Sequence, residues 1–422
     1  MVNGGKGQIW KKRAGFVLKA AVFLCLLAVV VYGINRTLTP KYRYSSTNPL
    51  TETYRGFYRM EPDTVDIVFL GSSQAASGFN PQDLYNGFGL KSYNLGSNHQ
   101  SLWASYYWLK EALEYQNLRV AVLDCYELFR DCRKDEGGTR LAFDDMRWGK
   151  VKKEAVETVC RLNGELSAES YLFTNIRFHT RWTGLNETDF TWGNFSPVPE
   201  LKGFWLYRGK CGYEEYTPLE VETAGESPEM ASFQEDAKEY LDKIVDLCQE
   251  NGVELILVKT PTLAETLDRH LAIADYAEEK GLGFYDFNEK GLYEAIGFQY
   301  GQDMNDSSTS GDRNAHANPS GARKMTYYLG NELVRKYGIY PKANWQWEVT
   351  RAFGEGIWKD FQLHNETDLH RYLAMAEDSR YVVLLAVKDE ASVSLNEDLQ
   401  NRLKAMGLGA GQKKAGTEYC GL

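Results

Sequence analysis

The sequence predicts an α/β protein of the flavodoxin-like type, a three-layer arrangement with helices on both faces of a parallel sheet. Short apolar runs recur along the chain, and most of them end at a glycine or an aspartate, as is typical of buried parallel strands. Amphipathic segments lie between these runs, and several of them stop at a glycine, the usual residue after a helix. In addition, an apolar run of membrane-spanning length near the N-terminus predicts a transmembrane helix.

These patterns place five strands and four helices in the main part of the chain. The strands are expected at 66–70, 92–95, 119–123, 254–259 and 283–286, and the helices at 101–115, 233–251, 263–280 and 319–337. Ser101 can cap the first of these helices, and Pro319 suits the first turn of the last. Ligands bind to such sheets beyond the carboxyl ends of the strands, where Ser73, Gly96 and Asp124 lie.

Residues 1–45 are predicted to form a short cytoplasmic tail and a transmembrane anchor. Residues 16–34 form an apolar run of about 19 residues, close to the ~20 that cross a bilayer as a helix. Basic residues precede the run, and such residues favour the cytoplasmic side. A cleaved signal peptide is the alternative, but the run is long for one. We therefore expect a single-pass cell-membrane protein with a cytoplasmic N-terminus, a stalk at 46–63 and an extracytoplasmic main domain.

The composition excludes some classes of function. The net charge of −10 argues against a general nucleic-acid binder, and no nucleic-acid partner is expected. The seven cysteines are scattered and lack the spacing of a zinc site, so no metal is expected, and no organic cofactor is expected either. The chain contains 27 Tyr, 19 Phe and 10 Trp. These rings suit the stacking of sugars and the packing of a core equally well.

The main domain is expected at 64–340, with an insertion at about 127–228 where the alternation of strands and helices breaks. The insertion is aromatic and irregular, and we expect it to lie over the edge of the sheet that carries the polar residues. After 341 the character of the chain changes. An apolar run at 381–387 lies between predicted helices at 368–377 and 396–406. This pattern indicates a small α/β accessory domain at 345–422, without an obvious finishing element.

Two residues are candidates for nucleophilic catalysis. Ser73 follows a strand and Gly71, and a sharp turn there would present its hydroxyl beside backbone N–H groups that can face an oxyanion. A serine becomes a nucleophile when a base takes its proton. His316, which precedes the last helix, is the best base candidate of the six histidines. An ordinary strand-to-helix turn and an exposed loop histidine are the alternatives, and Ser72 competes with Ser73 for the role of nucleophile.

An acid beside the histidine would orient the imidazole and stabilise its protonated form. Asp312 is four residues from His316 and is the first candidate for this role. Asp306 is ten residues away and is the alternative, with Asp303 behind it.

The chain from about 64 to 340 resembles the SGNH (GDSL-like) hydrolase family in three blocks that occur in the family's order. The block Asp66-Ile-Val-Phe-Leu-Gly-Ser-Ser73 implies a nucleophile at Ser73. The block Tyr93-Asn-Leu-Gly-Ser97 implies that Gly96 joins the backbone of Ser73 in an oxyanion hole, with Asn94 as a substrate-binding residue. The block His316-Ala-Asn318-Pro-Ser-Gly321 implies a base at His316 and a second substrate-binding amide at Asn318.

Three departures from the family's pattern matter. Ser72 stands where the family usually has an aspartate. The family's acid three residues before the histidine falls on Arg313, which leaves the role to Asp312 or Asp306. The family's Gly-x-Asn-Asp block is absent, and Asp124-Cys-Tyr-Glu127 follows the third strand instead. The oxyanion hole is therefore expected to lack one of its usual donors.

Within the family, the chain looks most like the membrane-anchored members that act in teichoic-acid or exopolysaccharide acylation. This resemblance implies a serine esterase or O-acyltransferase that acts on a cell-envelope polysaccharide or a teichoic-acid-like substrate through an acyl-serine intermediate. A membrane protein is the candidate acyl donor. The alternative is a glycan-binding or scaffold protein on a catalytically degenerate form of the fold. The run 380–392 looks like the core of the interleukin-like EMT-inducer (PANDER-like) domain, a small lectin-like module.

Overall fold

The computed structural model is built around a five-stranded parallel sheet. The residues it describes are 4–39, 50–172, 174–190, 199–211, 216–221, 229–306, 315–378, 381, 383 and 396–407. The strands are β1 (Ile67–Leu70), β2 (Ser92–Asn94), β3 (Val120–Asp124), β4 (Glu254–Lys259) and β5 (Gly283–Asp286). They lie in the order β2-β1-β3-β4-β5, and every neighbouring pair is parallel. This is the flavodoxin-like order, in which the direction of winding switches between β1 and β3.

The described residues also form α-helices, short 3₁₀ helices and one small sheet. The helices are α1 (Gly4–Leu38), α2 (Leu50–Phe57), α3 (Ser73–Gly78), α4 (Pro81–Phe88), α5 (Leu102–Tyr115), α6 (Glu136–Phe143), α7 (Lys150–Leu162), α8 (Ala168–Leu172), α9 (Thr174–Phe178), α10 (Glu235–Asn251), α11 (Leu267–Lys280), α12 (Lys290–Ala295), α13 (Tyr300–Asp303), α14 (Pro319–Arg335), α15 (Trp345–Glu348), α16 (Arg351–His364), α17 (Leu369–Ala376) and α18 (Glu397–Ala405). Two short strands, β6 (Met304–Asp306) and β7 (Ala315–Ala317), pair antiparallel.

The central sheet separates two hydrophobic layers. Successive side chains of a strand point to opposite faces. In β1, Val68 and Leu70 join one buried cluster, while Ile67 and Phe69 join the other. Residues of α5 and α10 complete the first cluster, and residues of α4 and α14 complete the second. The prediction of a parallel sheet covered by helices on both faces is therefore confirmed.

The helix ends follow the capping residues of the sequence. The side chain of Ser101 accepts a hydrogen bond from the backbone N–H of Ala104, at 3.4 Å, where α5 begins. Gly252 and Gly281 have φ angles of 65° and 68° and end α10 and α11 in the left-handed conformation. Pro319 is the first residue of α14, where its missing N–H costs no helical hydrogen bond.

The apolar run near the N-terminus lies within the single long helix α1. Its segment Arg13–Leu38 has a mean hydropathy of 2.6, and its most apolar stretch is not buried inside the protein. Among the described residues, it is the one helix that is long and apolar enough to cross a membrane. A membrane anchor and a signal sequence share these properties, so the crossing and the orientation stay predictions.

The second half of the stalk predicted at 46–63 is instead part of the core. Residues 50–57 form α2, and its side chains Tyr54 and Phe57 are each 1% exposed. The ring of Tyr54 stacks on that of Trp108 in α5, with 4.2 Å between the centroids. The segment is polar overall, which led to the prediction of a stalk, but its few aromatic side chains pack α2 against the first hydrophobic layer.

The described residues of the insertion at 127–228 lie in several different places, and two of these bear on the predicted position. Helices α6 and α7 pack against α5, within the first hydrophobic layer of the domain. Residues 199–211 lie instead beside β2 and α3. The backbone N–H of Trp205 donates to the carbonyl of Ala76 in α3, at 2.8 Å, and that of Asn94 donates to the carbonyl of Lys202, at 2.9 Å. The prediction that the insertion lies over the carboxyl edge therefore describes residues 199–211 but not α6 and α7.

The boundary predicted at 345 comes too early, because α15 and α16 belong to the main core. Trp347 is completely buried in the first hydrophobic layer, and Ile357 lies in the second. Further along, α17 and α18 pack on each other through a separate small cluster of Leu373, Leu399 and Leu403. Most of the strand predicted at 381–387 lies outside the described residues, so an α/β fold for this part stays a prediction.

We predict that Phe57→Ala destabilises the domain by about 3–5 kcal/mol, because it leaves a cavity against α5 and β2. Phe190→Ala is the matched control, since Phe190 is 60% exposed and its truncation should change stability by less than ~0.5 kcal/mol. Denaturant unfolding of the detergent-solubilised protein, followed by tryptophan fluorescence, measures both effects. Equal stability of the two variants would show that α2 is a dispensable stalk.

Candidate active site

Ser73 lies at a sharp turn between β1 and α3. β1 ends at Leu70, Gly71 has a φ of 126°, and Ser73 is the first residue of α3. A Cβ atom on Gly71 would lie 2.7 Å from the Cβ of Asp124 at the end of β3. Both the backbone conformation and the close approach therefore require glycine at this position. The start of α3 therefore lies close to the carboxyl ends of β1 and β3.

His316 faces this turn from the small antiparallel sheet. It is the central residue of β7, whose partner β6 contributes Asn305 opposite it. The imidazole Nε2 of His316 lies 2.8 Å from Oγ of Ser73, a hydrogen bond between residues that are 243 positions apart in the sequence. The side chains are nearly enclosed, with Ser73 6% and His316 8% exposed. The fold therefore brings the predicted nucleophile and the predicted base together within hydrogen-bonding distance.

The hydrogen bonds of Ser72 distinguish it from Ser73. The hydroxyl of Ser72 donates to Oδ2 of Asp124 at 2.6 Å, and it accepts the backbone N–H of Gln74 at 3.1 Å as the cap of α3. Its own backbone N–H also donates to Asp124, at 3.2 Å. Ser72 thus ties the turn to β3, while the neighbouring Ser73 turns its hydroxyl towards His316.

Asp124 is a buried carboxyl group beneath the turn. Burial raises the pKa of Asp124 to about 6, although the hydrogen bond from Ser72 and the positive charge of Lys259 both act to lower it. Lys259, at the end of β4, is itself buried and forms an ion pair with Glu265. Burial in turn lowers the pKa of the Lys259 ammonium group. A group of buried charges therefore supports the carboxyl ends of β3 and β4 directly behind the Ser73 turn.

Gln74 connects the helix of Ser73 to the strand of His316. Its side-chain amide donates to the backbone carbonyl of Ala315, the residue before His316, at 3.1 Å. Its side-chain oxygen accepts the hydroxyl of Thr260 at 2.8 Å, just after β4. This fully buried amide therefore fixes the separation between α3, β7 and the end of β4.

Tyr207 forms a wall of the site that sequence reasoning did not single out. Its ring packs against the imidazole of His316, with 5.2 Å between centroids and 34° between planes. Tyr207 and Trp205 form a small buried cluster with Ala76 of α3. Only the aromatic character of residues 204–207 in an otherwise irregular segment pointed to them. Tyr207 therefore covers one face of the histidine ring and is itself packed beside α3.

Asn94 and Gly96, which the sequence predicts to contact substrate and an oxyanion, hydrogen-bond to each other in the structure. The amide of Asn94 is completely buried, donates to the carbonyls of Ala75 and Phe79, and accepts the backbone N–H of Gly96 at 3.0 Å. The N–H of Gly96 is thus directed at Asn94. The polar atoms of Asn94 are engaged with the backbone around α3, and contact between Asn94 and substrate stays a prediction.

Asn318 has a similar structural role in the His316 segment. Its side-chain oxygen caps α14 by accepting the N–H groups of Ser320 and Gly321. Its amide nitrogen donates to the carbonyls of Gly209 and Gln302 at 3.1 and 2.7 Å. Asn318 is completely buried, and contact between Asn318 and substrate likewise stays a prediction. It holds residue 209 and β6 beside the base.

The position of the orienting acid stays a prediction. Asp312 lies outside the described residues. Asp306 is described only as part of β6, where its backbone pairs with Ala315. The carboxylate of Asp303 forms an ion pair with Lys324 at 2.6 Å and accepts the backbone N–H of Gln299, so it is engaged away from His316.

The described cysteines are free thiols. Within the described parts of the chain, no group of three or more His, Cys, Asp or Glu side chains is placed to hold a metal ion. The hydroxyl of Ser73 beside the imidazole of His316 is an arrangement that can support nucleophilic acyl transfer.

Comparison with known proteins adds little to this geometry. No protein-family model matches the chain, and no curated protein matches it. A crystal structure from Bacteroides fragilis NCTC 9343, named as a "putative acylhydrolase", is similar with a TM-score of 0.31 and 11% sequence identity. The match covers 69% of this chain and 100% of the other. At that TM-score the similarity supports no conclusion about fold or function.

We predict that Asp124→Asn becomes more stable relative to the natural protein as the pH rises from 4 to 7. The pKa of Asp124 is raised from 3.8 to about 6 on folding, so its stabilising contribution is complete below pH 3.8 and is lost as the pH rises through 6. The difference in unfolding free energy should grow by about 2 kcal/mol over this range.

Asp131→Asn is the control for this pH series. Its exposed ion pair with Arg133 lowers the pKa of Asp131 to about 2, so its contribution is already nearly complete at pH 4 and should change little above it. Urea unfolding at several pH values measures both differences. A constant difference between Asp124→Asn and the natural protein would contradict the assignment of a buried, hard-to-ionise carboxyl group.

Proposed function

We propose that this chain is a membrane-anchored, extracytoplasmic serine esterase or O-acyltransferase that acts on a cell-envelope glycan through an acyl-Ser73 intermediate. The observation that carries the proposal is the 2.8 Å separation between Oγ of Ser73 and Nε2 of His316. A serine and a histidine at this distance form the minimal nucleophile and base of acyl transfer. The similarity of three sequence blocks to the SGNH hydrolases supports the same assignment.

In the first half of the reaction, Nε2 of His316 takes the hydroxyl proton as Oγ of Ser73 attacks the carbonyl carbon of an acyl ester. The carbonyl π pair moves onto oxygen and returns when the ester C–O bond breaks. His316 then donates its proton to the departing alkoxide. The products are an acyl-Ser73 ester and an alcohol, and His316 is neutral again.

In the second half, a hydroxyl group attacks the acyl-Ser73 ester. Water would complete hydrolysis, whereas a sugar hydroxyl would complete transfer. His316 removes the proton of the incoming hydroxyl and returns it to Oγ of Ser73, which restores the free enzyme. Enclosure of the site by Tyr207 favours transfer, because it limits the access of bulk water to the acyl group.

The oxyanion of each tetrahedral intermediate needs donors close to Ser73. The backbone N–H of Ser73 is suited to this role, because N–H groups in the first turn of a helix have no helical acceptor. Gly96 lies close behind, but its N–H donates to Asn94. For Gly96 to assist, this hydrogen bond must rearrange when substrate binds. We assign the orientation of His316 to Asp312, with Asp306 as the alternative.

The cellular context is part of the proposal. The apolar helix α1 would anchor the chain, with the basic N-terminal residues on the cytoplasmic side and the catalytic domain outside. A cell-envelope polysaccharide or a teichoic-acid-like polymer would be the acceptor or the ester substrate. A membrane protein that supplies acyl groups would be the partner in transfer. None of the steps above requires a metal or an organic cofactor.

A catalytically inactive glycan-binding or scaffold protein on the same fold is the alternative function. The Asn94-bound N–H of Gly96 and the absence of the usual asparagine block favour it. The Ser73–His316 hydrogen bond favours catalysis, since a scaffold has no need to keep a serine and a histidine in contact inside a nearly enclosed site.

We predict that the solubilised protein hydrolyses an aryl acetate and that Ser73→Ala lowers kcat at least ~10²-fold, because it removes the nucleophile. Ser72→Ala is the matched control. It should keep kcat well above that of Ser73→Ala, because the nucleophile remains, at a cost of about 1–3 kcal/mol in stability, because Asp124 loses the Ser72 hydroxyl and keeps only the backbone N–H donors of Ser72 and Tyr126. Release of the aryl alcohol, followed by absorbance, measures the rates. Equal rates for the natural protein and Ser73→Ala would rule out the proposed activity.

A further inference from the structure

A cavity is lined in part by Arg208, the residue that follows Tyr207. It has a volume of about 280 Å³ and is open to solvent. Its lining consists of Arg208, Asp360, Leu363, His364, Tyr372 and Tyr381. These residues come from residues 204–211, from α16, and from the region around α17. No step of the acyl transfer uses any of them.

The cavity is connected to the candidate active site through two consecutive residues. Tyr207 packs against His316, and the next residue, Arg208, lines the cavity. Consecutive Cα atoms are about 3.8 Å apart, so one short piece of chain contributes both to the surroundings of His316 and to the lining of the cavity. The side-chain amide of Asn365, just after α16, donates to the backbone carbonyl of Arg208 at 3.1 Å and fixes this wall.

The lining combines flat rings with planar polar groups. The phenol of Tyr381 donates to the carboxylate of Asp360 at 2.6 Å, which holds both side chains in place. That carboxylate can accept further hydrogen bonds, because its two oxygens provide about four acceptor positions. Arg208 is exposed and offers up to five N–H donors on its guanidinium group. Tyr372 is 38% exposed and presents an accessible ring.

This combination selects against several classes of ligand. A purely apolar ligand would make no use of the remaining acceptor positions of Asp360 or of the N–H donors of Arg208, so these groups would add nothing to its affinity. A strongly anionic ligand would be attracted by Arg208 but repelled by Asp360. A hydroxyl-rich ring satisfies both, because each hydroxyl both donates and accepts, while its C–H face can pack on an aromatic ring.

We propose that this cavity is a glycan subsite that binds a neutral sugar unit of the polymer on which Ser73 acts. The inference rests on the proposed esterase or acyltransferase function, which it deepens by locating where the polymer is held. A sugar in the cavity would place neighbouring units of the same chain across Tyr207, beside the Ser73–His316 pair. Tyr372 supplies the stacking surface, and Asp360 and Arg208 supply the polar contacts.

The test measures the binding of full-length, detergent-solubilised protein to an array of neutral and acidic bacterial polysaccharides. The Ser73→Ala substitution is present throughout, so that turnover does not remove the ligand. We expect binding to neutral polysaccharides, and a loss of at least tenfold in affinity on adding Tyr372→Ala or Asp360→Asn. Tyr340→Ala is the matched control, since Tyr340 is 67% exposed and does not line the cavity. It should bind as tightly as the parent protein.

Binding that is unchanged in Tyr372→Ala and Asp360→Asn would overturn the subsite, as would binding to acidic polymers alone or to no polysaccharide on the array. Aryl acetate hydrolysis by the natural protein provides the independent measurement of the active site. Absence of that hydrolysis together with Tyr372-dependent glycan binding would refute the esterase activity and retain a sugar site. Hydrolysis without Tyr372-dependent binding would retain the esterase activity and refute the sugar site.

Discussion

The meeting of β1 and β3 at Gly71 is the constraint on which the site depends. The two strands end side by side at the switch point of the sheet, and the absent side chain of Gly71 lets the turn approach Asp124 closely. The Ser72–Asp124 hydrogen bond then fixes the first turn of α3. With this turn fixed, the next hydroxyl, that of Ser73, points towards His316 rather than into the sheet.

The support behind this turn is polar, which is unusual for the interior of a sheet-based domain. The side chains of Asp124, Lys259 and Glu265 are all buried near the ends of β3 and β4. Burial raises the pKa of Asp124 and lowers the pKa of Lys259, and both changes favour the neutral form of the group. Buried charges cost stability unless they are paired and hydrogen-bonded. We interpret the arrangement as a rigid base whose cost is offset by the two hydrophobic layers. Gln74 extends the same rigidity to β7, and so to His316.

The features that depend on local sequence patterns could be predicted from the sequence. The strands are short apolar runs, the helix ends carry capping residues, and Ser73 and His316 lie at the junctions where such a sheet presents side chains. Features that depend on tertiary packing could not be predicted in this way. Tyr54 and Trp347 lie in polar, irregular segments, and only the assembled core shows that they are buried. Asn94 and Asn318 matched substrate-binding positions of a family, yet each satisfies backbone groups that are distant in sequence. The contact of Tyr207 with His316 likewise depends on the path of a long insertion.

The most direct measurement is the site of covalent modification by a fluorophosphonate probe, mapped by mass spectrometry of peptides from the solubilised full-length protein. Such probes form a bond to a serine that a neighbouring base has activated. We expect stoichiometric labelling of Ser73, no labelling of Ser72, and loss of the label in His316→Ala. An unlabelled protein, or a label on Ser72 that persists in Ser73→Ala, would contradict it.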